Sequence, residues 1–78
     1  MIPELLKHCR QLALLTQTEL AEMVGVHQTL IGKYEAGLHE VNPEMERKLK
    51  EVFASKGIKE NEIALLSEIF NSRKYRKR

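Results

Sequence analysis

Residues 16–37, TQTELAEMVGVHQTLIGKYEAG, leave little freedom in how this chain can fold. Thr16 is followed three positions later by Glu19, the pattern of a capping box. The threonine oxygen can take an amide of the first helical turn while the glutamate reaches back to the Thr16 amide. Leu20, Ala21 and Val24 then share one face at i, i+1, i+4. Gly25 stands where a helix exit favours a left-handed residue. Val26 plugs the turn, Ile31 and Tyr34 continue the apolar stripe at i, i+3, and Gly37 ends the second helix. The spacing predicts two short helices, residues 17–24 and 28–36, closed on one apolar seam.

That seam leaves Gln28, Thr29, Gly32, Lys33 and Ala36 pointing outward. The result is a short surface of amide and hydroxyl groups with one cation. Such a face suits the base edges of a major groove, where glutamine can bond adenine bidentately and lysine can reach guanine.

The flanking sequence reads as helix throughout. Helix 1 is expected over residues 3–14, with Pro3 in its first turn and Leu5, Leu6, Cys9, Leu12 and Ala13 as its apolar stripe. Asn42 and Pro43 supply an N-cap and a first helical position for a fourth helix. Its core stripe is Met45, Leu49, Val52 and Phe53, and Ser55, Lys56 and Gly57 end it. A fifth helix covers about residues 60–72. Ile63, Leu66 and Phe70 lie along one of its faces, with Leu65 and Ile69 in a neighbouring row. A helix packed on a single core needs an apolar stripe about 100° wide. The wider stripe here points to a second contact surface on another copy of the chain, although a thin monomer core would use the same residues.

Residues 16–37 resemble the helix-turn-helix of the Cro/repressor-like (XRE-type) DNA-binding domains. The match rests on Gln17, Leu20-Ala21, Gly25-Val26, Ile31, Glu35 and Gly37. It extends more weakly over residues 1 to about 57 through Arg10 and the Asn42-Pro43 helix start. The resemblance implies an all-α, five-helix, lambda-repressor-like helix-turn-helix domain over residues 1–72, followed by a basic tail at 73–78. It also implies roles for particular residues. Gln17 would contact a phosphate and set the register of the recognition helix, and Arg10 would form an internal ion pair with Glu35.

Gln28 and Thr29 open the recognition helix, the end that meets base edges in this motif. Gln28 is the first candidate for direct readout of adenine, and Thr29 for a thymine methyl or a phosphate. Lys33, one turn on, can bond guanine or sit on the backbone. Gly32 is unusual inside a helix and costs roughly 1 kcal/mol relative to alanine. Its missing side chain permits close approach to the groove floor, or is a neutral departure. His27 occupies the capping position where the family usually has Ser or Thr. A histidine caps poorly, so a looser helix or a phosphate contact is expected there. A second departure is the loop Leu38-His39-Glu40, which lacks the basic residues related domains place against DNA, while Glu44 and Glu46 beyond it disfavour an anion.

Charge is unevenly spread. Residues 1–70 hold eight Lys or Arg against eleven Glu, a net charge of −3, and residues 71–78 bring the total to +2. A DNA-binding body is usually basic, so the tail from Arg73 to Arg78 is a candidate arm for phosphate, or a solubilising terminus, or the stub of a longer protein. The single cysteine cannot form an internal disulfide and reads as a buried small hydrophobe in a reducing cytoplasm. His8, His27 and His39 share no metal-ligand spacing, so neither a zinc site nor any other cofactor is expected. No apolar run nears the roughly 20 residues of a membrane helix. With no nucleophile–base pairing and no phosphate-binding glycine loop, an enzyme is not expected. The leading expectation is a cytoplasmic, homodimeric transcriptional repressor on double-stranded DNA. Its rival is a protein-interaction module on the same fold, such as an antitoxin or antirepressor, whose partner is another protein.

Overall fold

The computed structural model describes residues 1–76, and the side chains of residues 1–72. Among them the chain forms α1 (Pro3–Leu12), α2 (Gln17–Val24), α3 (Gln28–Glu35), α4 (Pro43–Ser55) and α5 (Glu60–Arg76). No strand occurs among the described residues. The all-α, five-helix expectation holds.

The helix starts follow local chemistry at their first amides. Pro3 opens α1 with a residue that has no N–H to orphan. At α2 the capping box forms in both directions. Glu19 N–H donates to Thr16 Oγ1 at 3.0 Å, and Thr16 N–H donates to Glu19 Oε1 at 2.9 Å. Asn42 Oδ1 accepts the Met45 N–H at 2.7 Å and starts α4, with Pro43 following it.

The core runs through the middle of the bundle. Leu6, Cys9, Leu20, Ile31, Leu49 and Phe53 are fully buried. Ile58 and Ile63 bring the start of α5 onto the same core, and His8 of α1 meets Phe70 of α5 edge to face at 5.7 Å. Burial raises the Cys9 thiol to about 11, which keeps it protonated and unreactive near neutrality. On α4, Glu46 accepts from the Met1 ammonium at 2.7 Å and pairs with Lys50 at 3.2 Å. The hydrogen bond from the ammonium holds the Glu46 carboxyl below its ordinary range. It therefore adds stability that is present at neutral pH and lost as the pH falls.

Two helix ends differ from expectation. α5 continues to Arg76 rather than ending near residue 72. α1 stops at Leu12, short of residue 14, and Leu12 is 53% exposed rather than part of the core stripe. The cause lies in the turn. Leu14 adopts a left-handed φ of 59°, so that Leu15 N–H reaches back to the Arg10 carbonyl at 3.1 Å. That is a helix exit of the kind glycine usually makes, here made by a leucine whose side chain is 88% exposed. Nothing in the packing of the domain uses that side chain, while the Cβ strain of a left-handed residue is roughly 1–2 kcal/mol. Leu14→Gly should therefore raise the unfolding free energy by roughly 0.5–1 kcal/mol, the relief being offset in part by the freer unfolded chain. Urea titration of the two proteins measures it, and a loss of stability would show that Leu14 packs after all.

Candidate nucleic-acid interface

α2 and α3 form the expected pair. Gly25 takes φ 77°, and Val26 N–H donates to the Ala21 carbonyl at 2.9 Å, which closes α2 and turns the chain into α3. Ile31 and Tyr34 are buried, so the inner side of α3 is committed to the core. His27, Thr29, Lys33 and Ala36 are exposed, with Gln28 and Gly32 half-buried beside them. The outer face named from the sequence is thus assembled as expected.

His27 departs from the reading of a poor cap. Its Nδ1 accepts the Thr29 N–H at 3.1 Å, so the imidazole caps α3 itself. That bond requires a lone pair on Nδ1 and places the ring proton on Nε2, which stays available as a donor.

Gln17 opens α2 and Gln28 opens α3, and the tight turn brings the two side chains together. Gln28 Nε2 donates to Gln17 Oε1 at 2.6 Å, and Gln17 Nε2 donates to Glu35 Oε1 at 3.0 Å. Glu35 is also gripped by Arg10 of α1, with Nε to Oε2 at 2.7 Å and Nη2 to Oε1 at 3.1 Å. Arg10 Nη1 goes to the Leu15 carbonyl at 2.8 Å. The ion pair implied by the family resemblance is therefore present, with both side chains almost wholly out of solvent. The amide chain from Glu35 to Gln28 was not legible in the sequence. Its members lie 11 and 18 residues apart, and no periodic pattern marks such a pairing.

Gly32 lies against this chain. A Cβ added there would sit 3.5 Å from Gln17 Oε1 and 3.8 Å from Gln28 Nε2, which is ordinary contact. Packing inside the domain does not demand glycine. After α3, Gly37 at φ 77° lets Leu38 N–H return to the Lys33 carbonyl at 2.9 Å. Leu38, His39 and Glu40 are exposed, and the His39 ring leans on Tyr34 at 5.9 Å. The first turn of α4 carries Glu44 and Glu46, as expected. The side chains of the basic tail, residues 73–78, lie outside the described residues. Among those described, no cluster of His, Cys, Asp and Glu is placed to hold a metal, and no helix is long and apolar enough to cross a membrane.

The sequence profile of the Helix-turn-helix family matches residues 6–56, well over half of the chain. The chain belongs to that family. Its matched segment covers α1 to α4, including the whole α2–α3 pair and both members of the Arg10–Glu35 ion pair. The family is one of DNA-binding regulatory domains. A comparison with curated proteins finds no match.

The cap on α3 gives a direct test of how the start of that helix is held. His27→Ala removes the acceptor and should cost about 1 kcal/mol of stability, whereas His27→Ser should restore a cap and match or exceed wild type. Thermal unfolding of the three proteins measures it. Equal stability of the alanine variant would show that the imidazole bond contributes nothing in solution.

Proposed function

We propose that this chain is a sequence-specific regulator of transcription that binds double-stranded DNA, a repressor that reads a pseudo-palindromic operator as a homodimer. It acts in the cytoplasm by binding rather than catalysis, and needs no cofactor. The observation that carries this reading is the outer face of α3, where Gln28 is held at the helix start beside exposed Thr29 and Lys33. The first turn of a recognition helix is the part that meets base edges.

Around it the remaining groups divide the work. Gln28 bonds adenine, Thr29 meets a thymine methyl or a phosphate, and Lys33 bonds guanine or the backbone. Gly32 admits the groove floor, since its cost in helix stability has no return inside the domain. His27 presents its Nε2 proton, and Gln17 its second amide proton, to phosphates. Residues 1–72 form the DNA-binding domain, and the tail at 73–78 supplies phosphate attraction that a body of net charge −3 lacks.

Gln28→Ala should cost about 1–3 kcal/mol on the preferred site and relax discrimination at one base pair. Deleting residues 73–78 should weaken binding to every sequence alike and flatten its salt dependence, by about one unit of log–log slope for each phosphate the tail neutralises. Titrations of wild type and both variants on matched and mismatched duplexes, at several salt concentrations, separate the two roles. If Gln28→Ala keeps its specificity, the recognition-helix assignment is wrong.

The dimer reading is supported by α5, where Leu65 and Ile69 are 60% and 51% exposed one turn apart. Leu65→Glu and Ile69→Glu should leave a folded monomer where wild type sediments as a dimer at tens of micromolar. Two recognition helices on one face of the duplex then require half-sites about 10 bp apart or a multiple of that. A monomeric wild type that protects a single asymmetric half-site would refute it.

The second reading, a protein-interaction module on the same fold, is favoured by the acidic body and by Leu38, 75% exposed just beyond α3. An electrophoretic shift assay against genomic fragments at two salt concentrations decides between them.

A further inference from the structure

The hydrogen-bond chain behind α3 has a direction, and the direction is set from inside the domain. Glu35 is a carboxylate gripped by the Arg10 guanidinium, and a carboxylate offers lone pairs and no donor. Gln17 approaches Glu35 Oε1 at 3.0 Å, so the end of its amide that faces Glu35 has to be the NH2. Its carbonyl oxygen is then left facing Gln28 at 2.6 Å. That oxygen in turn accepts only an N–H, so Gln28 must turn its own NH2 toward Gln17. Each orientation follows from the chemistry of the partner before it.

What Gln28 has left is one N–H and its carbonyl oxygen. This donor–acceptor pair matches the major-groove edge of adenine, which presents the N6 amino group and the N7 lone pair. Guanine presents two acceptors, O6 and N7, and would set a lone pair against the Gln28 oxygen. Run in the opposite direction, the same chain would occupy a lone pair of the Gln28 carbonyl and leave both of its N–H groups for the base, the pattern that guanine takes.

We propose that Glu35, held by Arg10, is a specificity-determining residue of this interface. It acts as a positioning residue that never touches DNA. By fixing the direction of the amide chain through Gln17, it makes Gln28 select adenine against guanine. This inference rests on the DNA-binding reading given above.

The test uses the full chain. Duplexes selected from a randomised pool define the preferred site, and titrations with each of the four base pairs at the Gln28 position give the discrimination. Wild type should favour adenine over guanine by roughly tenfold or more, the range of a bidentate pair. Gln17→Leu interrupts the chain and should bring that ratio to within about threefold; the phosphate contact proposed for Gln17 is lost on all four duplexes alike, so the test reads the ratio and not the affinity. Arg10→Leu with Glu35→Gln removes both charges together, so that no unpaired ion is buried. The residue at 35 can then donate or accept, and adenine preference should fall, with guanine gaining most. Circular dichroism establishes that each variant is folded, and Gln17→Leu carries the test if the double variant is not. In the protein without DNA, the side-chain amide resonances of Gln28 should show one hydrogen-bonded proton that disappears in Gln17→Leu. An adenine preference unchanged in a folded Gln17→Leu, or Gln28 amide resonances that ignore that substitution, overturns the proposal alone. Wild type that selects no duplex overturns both the proposal and the DNA-binding reading.

Discussion

Between α1 and α3 the Arg10 guanidinium grips Glu35 through two nitrogens, and the candidate interface is arranged around that grip. Taking both charges out of water is costly, and their attraction offsets it only when the geometry is good and the remaining lone pairs and protons are satisfied. Here they are: the third guanidinium nitrogen bonds the Leu15 carbonyl, and the carboxylate takes the Gln17 amide as well. The pair therefore ties the last residue of α3 to α1, to the strained turn at Leu14 and to the first residue of α2. Removing one partner would leave the other buried and unpaired, at a cost of about 3–5 kcal/mol. That is a large part of the stability of a chain this short.

For the recognition proposed above, the consequence is preorganisation. Gln28 would otherwise sample several rotamers and two amide orientations, and ordering such a side chain on binding costs roughly 0.5–1.5 kcal/mol. In this domain the ordering takes place during folding, through contacts with Gln17 that need no DNA. His27 does the same for the first turn of α3 by accepting the Thr29 amide. The imidazole and the amide chain thus both hold the start of α3.

The charge pattern around this face is uneven. Asn42 already uses the Met45 amide at the start of α4, and Glu44 and Glu46 lie in the same turn. Glu46 is turned inward to the Met1 ammonium and Lys50, so part of the acidity of the body goes into holding α4 to the start of the chain. In the proposed DNA-binding reading, backbone attraction then comes from Lys33, from neutral donors such as Gln17 and His27, and from the tail. Affinity built that way depends on salt through fewer contacts than a basic domain would make.

What the sequence determined by itself was everything governed by neighbours within a turn or two. The capping box at Thr16, the left-handed Gly25, the Asn42-Pro43 helix start and the apolar stripe of α4 are local physics, and each stands where the spacing put it. The outward face of α3 followed from the inward one, since burying Ile31 and Tyr34 exposes Thr29 and Lys33. The early end of α1 was hidden because leucine rarely takes a positive φ, and no composition rule predicts it. His27 misled for a related reason: cap preferences rank residue types, whereas the bond to Thr29 depends on how the ring is turned. Only the tertiary structure could join Arg10, Glu35, Gln17 and Gln28. Their hydrogen bonds span three helices, and a hydrogen bond has a direction that residue identity alone does not supply until each partner is in place.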